Sequence, residues 1–176
     1  MVHRLDRDTS GVMLFAKSAS VKKKLMDNWD EYAAERLYCG IAEGEINGEK
    51  GIIDLPLSEG KSGRVMVKND GKPAITCWKK IKTGNGYTLL SLELKTGRRN
   101  QIRAHLAAIG HPVAGDTKYG AGTNPIKRLC LHAGKITLKH PRDGKLMEFE
   151  IPAPEEFNRL TGTSNQKQFP PAPECR

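Results

Sequence analysis

The chain has 176 residues, with 29 lysines and arginines against 20 aspartates and glutamates, so its formal net charge is +9. This length suits one domain and is too short for two of ordinary size. The charge favours a polyanionic partner such as RNA, although an acidic membrane surface would also attract it. No run approaches the ~18 apolar residues that cross a bilayer, and no secretory signal is present, so we expect a soluble, cytoplasmic protein.

The cysteines give no indication of a metal site. Cys39, Cys77, Cys130 and Cys175 are widely spaced and form no Cys-x-x-Cys pair. His105, His111, His132 and His140 have no second histidine or carboxylate at the i, i+4 spacing of a helix. We therefore expect free thiols in a reducing compartment and no metal cofactor.

The first predicted elements are a strand and a helix. Residues 12–16 form a short apolar run bounded by turn residues, which is typical of a buried strand. Residues 18–32 have helical periodicity, with a serine at the start to cap the helix and a lysine-rich face toward solvent. The apolar stripe of this helix consists of Val21, Leu25 and Trp29.

The middle of the chain is rich in predicted strands. Residues 37–41 alternate, so the apolar side chains share one face and Tyr38 points to the other. Residues 50–95 read as a strand meander with turns at 69–71 and 84–86. A helix over 99–109 follows and ends at a glycine. Its predicted inward side chains are Ile102, Leu106 and Ile109.

The last third of the chain predicts three more strands and one helix. The strands fall near 129–131, 135–139 and 145–151. A short helix over 155–160 closes the domain. Residues 161–176 are rich in threonine, glutamine, serine and proline, so we expect a disordered tail there.

The residues with the clearest chemical role lie in 3–11, which read HRLDRDTSG. Asp6 lies between Arg4 and Arg7, and neighbouring cations favour the charged form of a carboxylate, so Asp6 would be available as a nucleophile or a base. Taken alone, an aspartate beside arginines is more often part of a surface turn, where such pairs contribute only ~0 to 1 kcal/mol.

Two further segments extend the pattern. Residues 96–106 read TGRRNQIRAHL and residues 110–116 read GHPVAGD, followed by Tyr119-Gly120. With HRLDRDTSG and the RLY at 36–38, they resemble the motifs of the RluA-type pseudouridine synthases as far as about residue 157. Arg36 stands where that family usually has lysine, and Asn100 where many members have histidine. Family members usually carry several dozen residues before the first motif, so the chain resembles an N-terminally shortened member.

The resemblance implies a fold and an activity. The fold would be α+β, with a mixed, largely antiparallel twisted sheet and flanking helices, forming a catalytic domain over 1–160. The activity would be isomerisation of uridine to pseudouridine in structured ribosomal or transfer RNA by a monomer without a cofactor. A uridine inside paired RNA would first have to be extruded from the stack.

The resemblance also implies roles for particular residues. Asp6 would be the catalytic carboxylate, and Arg103 would hold it ionised through a charge-assisted, possibly bidentate pair. Tyr38 would stack on the extruded base and place its hydroxyl for proton removal from carbon 5. The expected RNA-binding side chains are Arg4, Arg7, Arg98, Arg99 and Asn100. Arg4 would fill the gap in the RNA stack, and Arg7 would contact the RNA from the same segment. Arg98, Arg99 and Asn100 would contact the RNA near the start of the helix predicted over 99–109.

Three other functions fit parts of the sequence. The chain could be a catalytically silent RNA-binding remnant of such an enzyme. It could hydrolyse a glycosidic bond with two carboxylates, for which Asp6 and Asp116 are the available pair. It could also be a structural or ribosome-associated module. Formation of pseudouridine without release of the base would distinguish the isomerase from all three.

Overall fold

The computed structural model describes residues 1–61, 63–162, 169–173 and 175. Among these residues, no helix is long and apolar enough to span a bilayer. In chain order the elements are β1 (Ser10–Gly11), α1 (Ala19–Asp27), α2 (Trp29–Tyr32), β2 (Ala33–Glu43), β3 (Lys50–Asp54), β4 (Leu57–Glu59), β5 (Val65–Val67), β6 (Ile75–Gly84), β7 (Tyr87–Leu94), α3 (Gln101–Ala108), a 3-10 turn (Thr117–Tyr119), β8 (Leu131–Lys139), β9 (Leu146–Glu150) and α4 (Glu155–Leu160).

Seven of the strands form one sheet, with β2 and β7 at its centre. The order is β1-β8-β2-β7-β6-β3, and β9 also pairs with β8. All pairs are antiparallel except β1 with β8. Strands β4 and β5 form a separate hairpin, which contacts α3. This architecture confirms the predicted α+β fold with a largely antiparallel sheet.

The central strands bury both faces of the sheet. On one face, Tyr38 lies opposite Leu92 and Ala133 in the strand register. On the other face, Leu37, Cys39 and Ile41 are no more than 2% exposed. The predicted alternation of 37–41 is therefore confirmed, because successive side chains of a strand point to opposite faces. Leu92 and the three side chains of the other face belong to one hydrophobic core with Ile102 and Leu106 of α3, and Tyr38 packs against it.

The described part of 161–176 packs against the sheet, in contrast to the predicted disordered tail. Phe169 is 7% exposed and lies against Gly134, where any Cβ atom would collide with the phenyl ring. The hydroxyl of Ser91 donates to the carbonyl of Pro171 (2.8 Å). Isolated residues make these contacts, so the segment has no apolar periodicity from which its packing could have been predicted. Residues 163–168, 174 and 176 lie outside the described residues.

The cysteine prediction is wrong for two of the four cysteines. Cys77 and Cys175 form a disulfide across 98 residues of sequence. Cys39 and Cys130 are buried free thiols, as predicted. Spacing along the chain could not indicate the pair, because the fold brings Cys175 back onto β6.

The strand predicted over 12–16 is the first of the elements that differ from their predictions. Residues 12–16 form no strand beyond the hydrogen bond from the Val12 amide to the Ala133 carbonyl (2.8 Å). Phe15 is 67% exposed, whereas Leu14 packs in a small cluster with Val2 and Leu25. The apolar run is thus half-buried at alternate positions and exposed at the others.

The remaining differences are small. The helix predicted over 18–32 is interrupted at Asn28, between α1 and α2. Ile109, predicted to face inward, is 36% exposed because α3 ends at Ala108. One continuous strand, β8, stands in place of the two strands predicted near 129–131 and 135–139, and it begins only at Leu131. The last helix has the predicted limits.

Candidate active site

The loop that carries Asp6, residues 3–11, is fixed at its C-terminal end by strand pairing. Ser10 and Gly11 form β1 and pair in parallel with His132 and Ala133 of β8. Gly11 has a φ of 135°, and a Cβ atom there would collide with the Ala133 backbone. Only glycine combines that conformation with so close an approach. The Asp6 loop is therefore anchored directly to the central sheet.

A hydrogen-bonded group beneath the Asp6 loop strengthens this anchor. The Ser10 hydroxyl lies 2.7 Å from Nδ1 of His132, and Arg128 donates to the same hydroxyl (2.7 Å). His132 is 4% exposed, and burial followed by the charge of Arg128 lowers its pKa. A neutral His132 can accept the Ser10 proton at Nδ1, which leaves the serine oxygen to accept from Arg128. Thr9 closes the turn by donating its amide to the Asp6 carbonyl (3.0 Å).

Asp6 lies in the wall of a cleft of about 240 Å³ between the Asp6 loop, β2 and the start of α3. Of the residues predicted to be functional, the cleft is lined by Arg4, Asp6, Tyr38, Arg98, Arg99 and Asn100. Arg103 reaches Asp6 from α3, as described below. The fold therefore brings together residues from three separate sequence motifs. Arg7 is exposed and is not among the residues that line the cleft.

The guanidinium of Arg103 binds two carboxylates at once. Its Nε and Nη2 donate to the two oxygens of Asp116 (2.6 and 2.7 Å), while Nη1 lies 3.4 Å from Oδ2 of Asp6. Arg103 is 8% exposed and Asp116 only 2%. The predicted contact between Arg103 and Asp6 is present, but the bidentate partner is Asp116. Fork geometry explains this choice, because the Nε and Nη2 edge of a guanidinium matches the two oxygens of one carboxylate.

This arrangement keeps Arg103 charged and in place. Burial lowers the pKa of Arg103, but the hydrogen bonds and charge of Asp116, followed by those of Asp6, outweigh that effect and raise the pKa overall. The guanidinium also lies over the ring of Tyr119, 5.0 Å from its centroid. Asp116 and Tyr119 belong to the GDTKYG segment, for which we predicted no such contacts. The match of this segment to the family motif was the one sequence feature that could have indicated a role for Asp116 and Tyr119 in the site.

Asn100 lies beside Asp6. It is 7% exposed and has a left-handed backbone conformation (φ 50°) immediately before α3. We assign the amide orientation that satisfies its neighbours: its nitrogen then lies 2.7 Å from Oδ1 and 3.0 Å from Oδ2 of Asp6, and its oxygen accepts from the Tyr119 hydroxyl (3.1 Å). The opposite amide orientation would set an oxygen against the carboxylate. The residue that we expected to face RNA is therefore among the side chains that contact Asp6.

Tyr38 faces the same cleft from the centre of β2. Burial raises the pKa of its phenol to about 12, the charge of Arg36 opposes this, and the negative charge of Asp6 adds to it. The hydroxyl is therefore protonated at neutral pH. It can donate a hydrogen bond or pass a proton on, but it is not a resident phenolate base.

The arginines at the mouth of the cleft differ in how firmly they are held. Nε of Arg98 donates to the carbonyl of Pro73 (3.0 Å). Arg99 forms an ion pair with Glu59 of β4. Arg4 and Arg7 form no ion pair with any residue in the described part of the chain. Exposed cations in this arrangement provide a positive rim around Asp6.

The cleft is also lined by two stacked rings that we did not predict to be functional. His3 and Trp29 stack with their centroids 4.9 Å apart. Nε2 of His3 accepts from the Leu14 amide (3.1 Å). Burial, followed by the charge of Arg36, lowers the pKa of His3, so its imidazole is neutral at pH 7. The sequence feature that concerned Trp29 was the apolar stripe of the predicted helix, and it indicated only packing in the core.

In the described residues, one group brings three possible metal-ligating side chains together, and it is remote from Asp6. Donor atoms of Cys77, Glu93 and Cys175 lie within 4.8 Å of one another, but the two cysteines are joined in the disulfide. Glu93 forms an ion pair with Lys95 (2.5 Å). These side chains already have partners. The group lies on the face of the sheet opposite to Tyr38. Glu93 is paired with Leu37, whose side chain points away from the Tyr38 face.

The fold and the site together define a pseudouridine-synthase-type domain. The human protein RNA Pseudouridylate Synthase Domain Containing 1 superposes with a TM-score of 0.78 at 23% identity, over 92% of this chain and 71% of that one. Residues 1–108 match the family described as RNA pseudouridylate synthase. The chain belongs to this family.

Its relatives are similar over most of the chain. The uncharacterized RNA pseudouridine synthase YlyB of Bacillus subtilis is 38% identical over 163 residues, which cover 91% of this chain and 54% of YlyB. The ribosomal large subunit pseudouridine synthase D of Haemophilus influenzae is 36% identical over 176 residues, covering 91% of this chain and 54% of the relative. The chain thus spans about half the length of the curated relatives it matches.

Proposed function

We propose that this protein is an RNA pseudouridine synthase, an isomerase that converts particular uridines of structured RNA to pseudouridine. The observation that supports this most strongly is the position of Asp6. It is a half-buried carboxylate in a cleft with a positive rim, and Asn100 and Arg103 both point hydrogen-bond donors at it. Such donors stabilise the ionised carboxylate, which is the form able to attack a carbon or remove a proton.

The chemistry assigned to the cleft is an exchange of two bonds. The bond between the ribose and nitrogen 1 of the base breaks, the base turns, and carbon 5 bonds to the ribose in its place. Carbon 5 then loses its proton and nitrogen 1 gains one, so the product is an isomer of the substrate and the reaction needs no external co-reactant. Asp6 acts on the ribose or the base, and Tyr38 stacks on the base and passes on the carbon 5 proton through its hydroxyl. Asp116 fixes the guanidinium of Arg103, and Arg103 in turn contacts the Asp6 carboxylate.

RNA binding is assigned to the arginines of the rim. Extruding a uridine costs a few kcal/mol of stacking, and contacts elsewhere on the RNA must offset this cost. Arg4 inserts into the vacated position of the stack, where a planar guanidinium replaces a base. Arg7, Arg98 and Arg99 contact phosphates. Because several relatives are named as ribosomal large subunit enzymes, we propose ribosomal RNA as the substrate, modified in the cytoplasm by a monomer.

The alternative of a glycosidic hydrolase with Asp6 and Asp116 has weaker support. A hydrolase needs a second carboxyl group that can reach the substrate as an acid or a base. Asp116 is 2% exposed, and both of its oxygens accept from Arg103. Its carboxylate is therefore occupied in holding the guanidinium.

The proposal is tested with RNA that carries tritium at carbon 5 of uridine. The 176-residue chain is incubated with ribosomal and transfer RNA transcripts, and both tritium release and the digested nucleosides are measured. Tritium release with pseudouridine formation is expected, and the transcript that reacts identifies the RNA class. Release of free uracil would indicate the hydrolase instead. RNA binding without either product would indicate a silent RNA-binding protein.

A further inference from the structure

The shortest side-chain hydrogen bonds to the Asp6 carboxylate come from a neutral side chain, that of Asn100. The Asn100 amide nitrogen is 2.7 and 3.0 Å from the two carboxylate oxygens, whereas Nη1 of Arg103 is 3.4 Å from one of them. The guanidinium is already aligned with Asp116 through its other two nitrogens. The hydrogen bonds from Asn100 therefore fix the orientation of the Asp6 carboxylate, and the positive charge of Arg103 compensates its negative charge.

A chain of hydrogen bonds fixes the Asn100 amide in turn. The Tyr119 hydroxyl donates to the amide oxygen and accepts from the backbone amide of Val65 in β5 (3.2 Å). Tyr119 is 4% exposed, so neither contact competes with bulk water. Because the hydroxyl has only one proton, the Val65 contact leaves Asn100 as its acceptor. The amide is thereby held with its nitrogen toward Asp6.

Asparagine suits this position for two physical reasons. First, the backbone is left-handed here, a conformation that asparagine adopts more readily than most residues with a side chain. Second, a carboxamide is a donor and an acceptor at once and does not titrate. A histidine in its place would change its charge near neutral pH, and an aspartate would bring a second negative charge against Asp6.

We propose that Asn100 is a positioning residue that holds the Asp6 carboxylate in its reactive orientation through an amide fixed by Tyr119. This inference rests on the proposed function and gives Asn100 a role distinct from RNA contact. The titratable and charged groups around the pair come from every neighbouring element. They are Arg4 and Arg7 of the Asp6 loop, Tyr38 of β2, Arg103 of α3, Asp116 and Tyr119 of the 3-10 turn segment, and Arg64, which lies over the Tyr119 ring.

The test uses Asn100→Asp, which keeps the shape of the side chain and replaces the donor with a second carboxylate. Of two carboxylates in contact, one has a raised pKa because like charges repel, so the acid limb of the single-turnover pH–rate profile should move up by about one pH unit or more. At neutral pH the rate should fall by about tenfold to a hundredfold. RNA affinity should stay within a few-fold. The matched control is Asn85→Asp, another left-handed asparagine, which lies outside the cleft and should leave the profile unchanged.

Tyr119→Phe provides a second variant without a change of charge. Removing the hydroxyl frees the Asn100 amide, so the rate should fall by about tenfold with the acid limb in place. A wild-type rate and profile in both variants would overturn the proposal. So would a large loss of RNA affinity with a normal rate at saturating RNA, because that pattern indicates an RNA contact. If Asn100→Asp does not fold, a wild-type rate for Tyr119→Phe is sufficient to overturn it.

A measurement that does not depend on turnover separates this proposal from the function itself. The side-chain amide signal of Asn100 is identified in a ¹⁵N NMR spectrum by its loss in Asn100→Asp. The signal should shift in Asp6→Asn and stay in place in Asp8→Asn, whose side chain is exposed on the same loop. Equal shifts in both variants would overturn the contact. A wild-type protein that forms no pseudouridine would instead overturn the proposed function.

Discussion

Replacing Asp116 by alanine removes the carboxylate that occupies two of the three nitrogens of Arg103. Because both side chains are at least nine-tenths buried, the change leaves an interior guanidinium whose remaining partners are Asp6, at 3.4 Å, and the face of the Tyr119 ring. Breaking a buried ion pair from one side costs about 3 to 5 kcal/mol. A domain has only ~5 to 15 kcal/mol of stability, so the variant should be close to unfolding.

The magnitude can be measured by urea denaturation. With a slope of about 2 kcal/mol per molar urea, the midpoint should fall by roughly 1.5 to 2.5 M. Asp27→Ala is the matched control, because Asp27 also pairs with a cation but in an exposed contact with Lys23 on α1. That substitution should cost only about 0.5 kcal/mol. Equal midpoints for the two variants would refute the view that the pair between Arg103 and Asp116 supports the site.

Three further predictions concern the cleft and the core. Tyr38→Phe should keep RNA affinity within a few-fold and lower the single-turnover rate by about a hundredfold or more; full turnover would restrict Tyr38 to stacking. Arg99→Ala should reduce the slope of log affinity against log salt by about 1, whereas Glu59→Gln, which frees Arg99, should not reduce it; an unchanged slope in Arg99→Ala would remove it from the RNA surface. Burial lowers the pKa of His105, so the unfolded chain binds a proton first and stability is lost as the pH falls from about 6.5 through the lowered value. The urea midpoint should therefore be lower at pH 5.5 than at pH 7.5, and His105→Gln should narrow this difference; the same difference in both proteins would show that His105 is not its source.

The sequence predicted the elements whose signals are local. The meander over 50–95 follows from alternating apolar residues between glycine and asparagine turns, and it corresponds to β3 through β7. The helix over 155–160 was predicted with its observed limits. Periodicity failed at 12–16, where burial depends on which neighbours the loop meets, and composition failed at Phe169, where one side chain fills the space beside Gly134.

The site shows the same division between local and long-range information. The motifs identified Asp6, Tyr38 and Arg103, because each lies in a short matching segment, and the fold brings these segments to one cleft. The preference of Arg103 for Asp116 and the contact of Asn100 with Asp6 depend on hydrogen-bond geometry between separate segments. The spacing of residues along the sequence does not show which distant side chains form hydrogen bonds, so these contacts are known only from the structure.

The most direct test of the account compares two aspartates of the same loop. Asp6→Asn and Asp8→Asn remove the same charge two residues apart, but only Asp6 lines the cleft. Tritium release and pseudouridine formation should be measured under single-turnover conditions, with RNA affinity measured in parallel. The account predicts no product from Asp6→Asn, a rate close to wild type from Asp8→Asn, and RNA affinities within a few-fold for both. Substantial pseudouridine formation by Asp6→Asn would contradict the assignment of Asp6 as the catalytic residue.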